Sequence, residues 1–471
     1  MNARSCGPEP DTVAIEAAGS SWSHCELASA ADDLAAVLRD SLSEPGRRPR
    51  VVHAFELSPE AILAVHGIAR AGAILAPAHP KWPRSRAVRH LASLQPDAVV
   101  VPRGREWAGQ WHRRTIPLSA FGPIDLLTPS APPEDRQVEP PAGTDVVIST
   151  SGTDGQPRSV CHAWAGLRAN AVAANRRNGF SAECAWLATL AWAHIGGLAI
   201  LVRAAAAGSR VVCGPRAFEA GGVAAALETH RVTHVSLVPV MLDRLLDLGV
   251  PAPSALRCAL VGGGPASEAL IERARRAAWP VSLTYGLTEA GSQVATTVPG
   301  SGRIAGRPLD GCEVRIARDG GIEVRGRSVM LGYLEERGSV GEDGWFVTGD
   351  LGELDATGRL RVKGRRSSRI VTGGANVDPA EIEALLLRHP AIREACVVGT
   401  PDERWGEIVT AVVVPCAPDP LLESQLDAWA RERLDGPRRP RRWCFVEDLP
   451  QTSSGKVDRS AIRATLTVKD S

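Results

Sequence analysis

From about residue 28 to residue 290, short apolar runs alternate with segments whose apolar positions recur at helical spacing. RPRVVHAFEL, PDAVVVP, TDVVISTSG, GSRVVCG, THVSLVP and LRCALVGGG are the strand candidates, and ELASAADDLAAVLRD and ASEALIERARRAA carry the helical period. That alternation predicts a parallel sheet wound with helices. The polar, Pro-rich stretch LTPSAPPEDRQVEPPAG, near residues 127 to 143, predicts a connecting loop before a strand at Val146. After residue 300 the texture changes: CEVRIARDGGIEVRG and GELDATGRLRVKG each turn at a Gly-containing dipeptide, as β-hairpins do. Past Arg365 a smaller unit begins, with a helix at PAEIEALLLRHP and strands at EACVVG and VTAVVVP. The expected fold is α/β: a large N-terminal domain of wound sheets plus a β-rich subdomain, then a small α+β C-terminal domain. The boundary is drawn between residues 1–365 and 366–471.

At 471 residues the chain is too long for one ordinary core, which agrees with two units. Its 54 Lys plus Arg against 53 Asp plus Glu give a net charge of +1, which removes the broad basic footprint of a nucleic-acid binder. A small-molecule partner is the better default. The ten Cys are scattered singly, never as C-x-x-C, and most sit in apolar runs, as Cys258 does in LRCALV and Cys396 in EACVVG. They read as small buried hydrophobes, not as a zinc site or a disulfide framework. The N-terminal stretch has no apolar core behind its one Arg, and no alanine-rich stretch reaches membrane-spanning length before a charge interrupts it. A cytoplasmic protein without membrane contact is expected. The 12 Trp, against 6 Phe and 2 Tyr, name no function.

Chemistry concentrates in a few ordered stretches. TSGTDGQPR, Thr150 to Arg158, follows the apolar strand DVVIS; its hydroxyls, glycines and backbone N–H groups suit a polyphosphate, with Arg158 adding positive charge. The Walker spacing is absent. YGLTE, Tyr285 to Glu289, then offers a hydroxyl for a phosphate oxygen in Thr288 and a hard carboxylate for Mg²⁺ in Glu289. GWFVTGDLG exposes Asp350, a residue type that accepts both hydroxyls of a ribose. KGRRSSRIVTGGANVDPAEIE brings Arg365 and paired glycines, and PQTSSGKVDR sets Lys456 in a small loop. Singly, each has a bland alternative, such as a solvated carboxylate for Glu289 or a surface lysine for Lys456. Their joint occurrence in one order does not.

That order, TSGTDGQPR, YGLTE, TGD, GR, GG and P-x-T-x-x-G-K, resembles the adenylate-forming superfamily of acyl-CoA synthetases, peptide-synthetase adenylation domains and luciferases, and AGAILAPAHPKWPRSR extends the likeness toward the N-terminus. The resemblance implies an ATP-dependent enzyme with Mg²⁺ and CoA as co-substrate, and a small C-terminal domain that moves between two half-reactions. It further implies that Thr150, Ser151, Gly152, Thr153, Gly155 and Arg158 line the phosphates, with Thr153 and Glu289 toward the metal. Gly262, Gly263, Gly264, Tyr285 and Gly286 would bracket the adenine, Thr288 would meet the α-phosphate, and Asp350 and Arg365 the ribose. Lys456 would neutralise charge developing in adenylation. Three positions depart from the family pattern: Asp154 stands where Thr is usual, Arg158 replaces Lys, and Arg366-Ser367-Ser368 occupies the hinge where Asp or Lys is typical.

Within the superfamily, THVSLVPVMLDRLL, LVGGGPAS and the segment after Arg365 look most like the o-succinylbenzoate-CoA ligases of menaquinone biosynthesis. A dicarboxylate would give a purpose to Arg203, which lies in the apolar helical pattern AWAHIGGLAILVRAAAAG nine positions after His194. Burying that cation is costly without an anion; pairing with a protein carboxylate, or reaching solvent, is the competing reading. His194 would wall and gate the acyl pocket during catalysis, with Ser292 and Gln293 as further polar contacts. Gly373 and Gly374 would let the pantetheine arm of CoA pass close to backbone. The basic run GPRRPRRW could meet its phosphates or be a solvated surface. Other acids, a carrier protein as acceptor, a homodimer, and a nucleotide-binding protein without ligase activity stay open.

Overall fold

The computed structural model describes residues 12–17, 19–42, 44, 46–107, 111–118, 120–130, 138–150, 158–302, 306–336, 338–452 and 457–468. Two compact units divide it. The first comprises Met1–Gly263, Ala274–Val314 and Val324–Phe346; the second comprises Gly264–Arg273, Arg315–Glu323 and Val347–Ser471.

Two large sheets build the first unit. In one, the strands Val281–Leu287, Cys258–Val261, His234–Leu237, Ala185–Ala188, Arg210–Cys213 and Val13–Ala17 lie parallel in that order, with antiparallel strands at both margins. In the other, Val146–Thr150, Ile74–Pro77, Arg50–His53 and Ala98–Pro102 are parallel neighbours. All six strand candidates from the apolar runs are strands. Their unbroken hydrophobicity follows from helices covering both faces. The helix Pro59–Arg70 shows how: Ser58 caps its N-terminus by accepting from the Ala61 N–H, Pro59 opens it, and Ile62, Leu63 and Ile68 are buried. A Cβ on its Gly67 would stand 2.6 Å from Leu34 Cδ2, so glycine there lets the helix His24–Leu42 pack closely against it. Residues from these helices and both sheets join one core, among them Ile15, Leu34, Val51, Ile148, Trp186 and Leu201.

The expected loop near residues 127 to 143 starts later than the composition suggests. Leu127 to Pro129 complete the strand Ile124–Pro129, which pairs antiparallel with Ala98–Pro102 because its apolar side chains reach the core. The two hairpins after residue 300 are present, as Cys312–Ile316, Gly321–Gly326, Phe346–Leu354 and Leu360–Arg365, ordered in one four-stranded sheet.

In the second unit a sheet of Ala375–Val377, Ile370–Thr372, Gly406–Pro415, Ile392–Asp402 and Arg442–Phe445 carries two cores. Val409, Ala411 and Val413 face one cluster with Ile382 and Leu426, while Val412 and Val414 face another with Leu449 and Ile462. The side-chain period of two thus explains why VTAVVVP is apolar throughout. No helix among the described residues is long and apolar enough to cross a membrane.

Candidate active site

Most of the residues that the motifs singled out in the first unit stand at the C-terminal edge of its parallel strands, where open α/β sheets bind ligands. Gly262 directly follows the strand Cys258–Val261, and a Cβ there would lie 2.6 Å from Thr284 Cγ2 on the neighbouring strand. Gly263 adopts φ +79°, which favours glycine. Gly264 belongs to the second unit's segment Gly264–Arg273.

One hairpin carries Thr288 and Glu289 at its turn and Ser292 and Gln293 on its second strand. Val281–Leu287 leads through a single 3₁₀ turn, Thr288–Ala290, and a left-handed Gly291 into Ser292–Thr296. Close approach shapes it, since a Cβ on Gly286 would fall 1.7 Å from Ser292 O. His162, buried, donates its Nε2–H to Thr288 O at 2.7 Å and so anchors the turn from outside. Burial lowers the His162 pKa to about 4, so this imidazole is neutral at pH 7.

Glu289 accepts from the Tyr333 hydroxyl at 3.0 Å. Burial, then the Glu289 charge, pushes the Tyr333 pKa up and keeps the phenol a donor. The Arg158 guanidinium stands 5.2 Å from the centroid of the Tyr333 ring. Thr150 is paired in register with Arg158, whose carbonyl accepts from its hydroxyl at 3.2 Å, so the strands Val146–Thr150 and Arg158–His162 flank positions 151 to 157. Ser151, Gly152, Thr153, Asp154 and Gly155, with Lys456, lie outside the described residues. A Mg²⁺ shared with a nucleotide takes one or two carboxylates and completes its shell with phosphate and water oxygens. Glu289 fits that demand; among the described residues no group of three or more His, Cys, Asp or Glu could hold a metal by itself.

Of the acyl-site candidates, Arg203 touches Ser292 directly. It lies on the helix Ile195–Ala207, is 1% exposed, and pairs with no carboxylate among the described residues. Its Nη2 donates to Ser292 Oγ at 3.1 Å, its Cζ is 5.1 Å from the Trp186 ring centroid, and its Nε is buried without a hydrogen-bond partner. Burial pulls its pKa down to about 10, which leaves it charged at pH 7. Among the described residues, therefore, Arg203 neither forms a protein ion pair nor reaches solvent. Ser292 holds φ +115°, a strained value for a residue with a side chain. Gln293 is buried, accepting from Thr296 Oγ1 at 2.7 Å while its Nε2 has no partner. His194 caps the same helix by position and faces His79 across 6.5 Å between ring centroids.

The remaining candidates fall in the second unit. Asp350 and Arg365 are opposite one another in register, with Arg365 Nε 3.1 Å from Asp350 Oδ1. Arg366 opens a 3₁₀ turn and binds Asp319 at 2.7 Å. A Cβ on Gly373 would meet the Trp405 indole at 2.6 Å, whereas Gly374, at φ +80°, opens onto free space. In the basic run, Arg438 approaches Glu381 at 3.6 Å and Arg441 stacks on Trp405 at 4.2 Å.

The motifs did not single out Tyr333, His162 or Trp186. For Tyr333 a signal was present, since it and Tyr285 are the chain's two tyrosines. His162 and Trp186 sit in ordinary strand patterns and had none.

A family model described as AMP-binding enzyme matches residues 3–334, and one described as AMP-binding enzyme C-terminal domain matches residues 381–456. The 2-succinylbenzoate–CoA ligase of Bacillus cereus strain Q1 is 34% identical over 428 residues, 86% of each chain. The chain is similar to the o-succinylbenzoate CoA synthetase of Bacillus subtilis in complex with the acyl-adenylate intermediate OSB-AMP, at TM-score 0.81 and 28% identity, covering 97% of this chain and 95% of that one. The same Bacillus subtilis synthetase in complex with ATP and magnesium ion matches at TM-score 0.82 and 29% identity, covering 97% of both chains.

Proposed function

The chain belongs to the AMP-binding enzyme family and is an AMP-forming acid–thiol ligase, and we propose that its acid is o-succinylbenzoate and its acceptor CoA. The observation that carries this choice is Arg203, a buried cation without a protein anion among the described residues. A dicarboxylic acid supplies that anion with one carboxylate and reacts through the other. The relatives bearing the o-succinylbenzoate name support the same acid, and with it a place in menaquinone biosynthesis.

The roles assigned to single residues are part of the proposal. An ionised carboxylate attacks the α-phosphorus of ATP, pyrophosphate departs, and the thiol of CoA then attacks the acyl carbon and expels AMP. No general base is needed in the first step, because the acid is already ionised at neutral pH. What the first step needs is cations and fixed donors where two anions meet. Thr150, Ser151, Gly152, Thr153, Gly155 and Arg158 would hold the phosphates, Gly262, Gly263, Gly264, Tyr285 and Gly286 the adenine, and Asp350 with Arg365 the ribose. Thr288 would meet the α-phosphate, and Lys456 would neutralise the developing charge. Mg²⁺, held by Glu289 with Thr153, would offset charge on the phosphates. His194 would close the acyl pocket with Arg203, Ser292 and Gln293. Gly373 and Gly374 would border the pantetheine path, and the open space at Gly374 supports that reading for it. Residues 366–471 would move as a body between the half-reactions, pivoting near Arg366. A cytoplasmic location is supported by the described cysteines, all free thiols.

Acid-dependent ATP–pyrophosphate exchange tests the assignment. o-Succinylbenzoate is expected to drive exchange, and CoA to turn the adenylate into a thioester. Exchange driven equally well by an aryl monocarboxylate of the same size would remove the role given to Arg203.

A further inference from the structure

We propose that Trp186 is a positioning residue for acid selection: its indole face carries the Arg203 guanidinium where a protein carboxylate would otherwise stand, and so leaves that charge to the substrate's second carboxylate. The inference deepens the dicarboxylate reading and rests on it.

A guanidinium this deeply buried needs compensation. A carboxylate would compensate it and also cancel its charge, leaving nothing to recognise an acid. The face of an indole offsets desolvation through its quadrupole, contributes no formal charge and occupies none of the five N–H donors. At this site both partners are buried, Trp186 at 0% and Arg203 at 1% exposure. The other described arginines over tryptophan rings, Arg86, Arg325, Arg404, Arg433 and Arg441, are not buried, so among the described residues a desolvated stack is particular to this pair.

Three neighbours hold the ring. Its Nε1–H donates to Ser236 Oγ at 3.1 Å, Phe180 meets it edge-on at 4.8 Å, and His234 lies against it at 5.2 Å. Arg203 is fixed from the backbone as well, since Asn175 Nδ2 donates to its carbonyl at 3.0 Å. Ser292 takes one terminal nitrogen and Trp186 takes the face. Arg203 Nε, buried without a hydrogen-bond partner, is the donor assigned to a ligand oxygen.

The test measures KM for o-succinylbenzoate and for a matched aryl monocarboxylate by pyrophosphate exchange in the wild type, Trp186→Phe and Trp186→Leu, in the full chain. The expected result is graded by the strength of the aromatic face: KM for the dicarboxylate rises about tenfold in the leucine variant and less in the phenylalanine variant, while KM for the monocarboxylate moves less than about twofold. In an Arg203→Met background, Trp186→Phe adds no further loss of selectivity. Trp186→Phe retains most of the buried volume and keeps the test open if the leucine variant folds poorly. An equal rise for both acids, or an undiminished effect in the Arg203→Met background, overturns the inference, because a merely structural tryptophan behaves that way. A wild type that does not discriminate overturns the dicarboxylate reading and this inference together. A discriminating wild type whose Trp186 variants discriminate equally well overturns the inference alone.

Discussion

Two arginines, one in each unit, deal with burial in opposite ways. Arg459 in the second unit is finished: its Nη1 and Nη2 each stand 2.7 Å from a Glu383 oxygen, and Nη1 also donates to Val397 O at 2.8 Å. Glu383, buried, accepts from the Val397 N–H as well, at 2.7 Å. Burial pulls the Arg459 pKa down and Glu383 more than reverses it, so the result lies above the ordinary value. Arg203 in the first unit has a hydroxyl and an aromatic face, and its pKa ends below the ordinary value. A closed ion pair holds a fold together, whereas a buried cation that no described protein anion neutralises raises the energy of the ligand-free protein, and on the proposed reading the substrate's second carboxylate supplies the anion. The two differ in what surrounds the guanidinium as well as in depth, since Arg203 is 1% exposed and the Arg459 side chain 31%.

Replacing both arginines by methionine breaks or sharpens this contrast most directly. Arg203→Met should lower kcat/KM for the dicarboxylate about 100-fold, equivalent to about 3 kcal/mol, by removing charge-assisted hydrogen bonds. Because a buried charge that no protein anion neutralises leaves the interior, and the indole face and one hydroxyl offset only part of its desolvation, Tm should hold or rise. Arg459→Met should instead lower Tm, stranding the Glu383 carboxylate. A large fall in Tm for Arg203→Met would mean that an anion of the folded chain neutralises its charge after all.

Acid separates the units on a comparable scale. His53, His90 and His162 in the first unit are buried, and burial lowers each pKa to about 4 from the 6.5 of an open chain. Between those values the unfolded chain binds more protons than the folded one. Stability is therefore full above about pH 6.5 and falls as the pH drops toward 4, by about 1 kcal/mol for each histidine at pH 5.5. Of the chain's 11 histidines only His389 lies in the second unit, and it is not buried. Calorimetry at pH 7 and pH 5.5 should show the first unit's transition moving down by much more than the second's; equal shifts would mean that the imidazoles are accommodated in charged form.

The sequence made the strands legible because an apolar run flanked by helical patterns has few other uses in a wound sheet. It made the motif residues legible because glycines and hydroxyls at the ends of such strands mark where backbone must approach a ligand: Gly262 and Gly286 indeed have no room for a Cβ. It left the fate of Arg203 open, since no spacing rule tells whether a distant carboxylate folds back onto a helix. Tyr333, 44 residues from Glu289, was hidden for the same reason. The tryptophan excess, silent as composition, acquires a meaning in three dimensions: Trp82, Trp186, Trp345, Trp405 and Trp429 each carry an arginine over the ring.

The carboxylates repeat the contrast and give the two smaller effects. Glu383→Gln should cost about 2 kcal/mol of stability in the second unit, short of the full cost for a buried pair because the Arg459 side chain is 31% exposed. Glu289 in the first unit has no arginine or lysine within ion-pair distance among the described residues; its recorded side-chain partner is a phenol, which orients the carboxylate without neutralising it. Tyr333→Phe removes that single hydrogen bond, worth about 1 kcal/mol, and keeps the ring under Arg158. Exchange activity should drop several-fold and the Mg²⁺ concentration for half-maximal rate should rise, with Tm nearly unchanged, because water can reach the freed oxygen. An unchanged Mg²⁺ dependence alongside a lowered Tm would make Tyr333 a structural partner of Glu289, closing the anion as Arg459 closes Glu383, and would remove the carboxylate's claim to be held open for a metal.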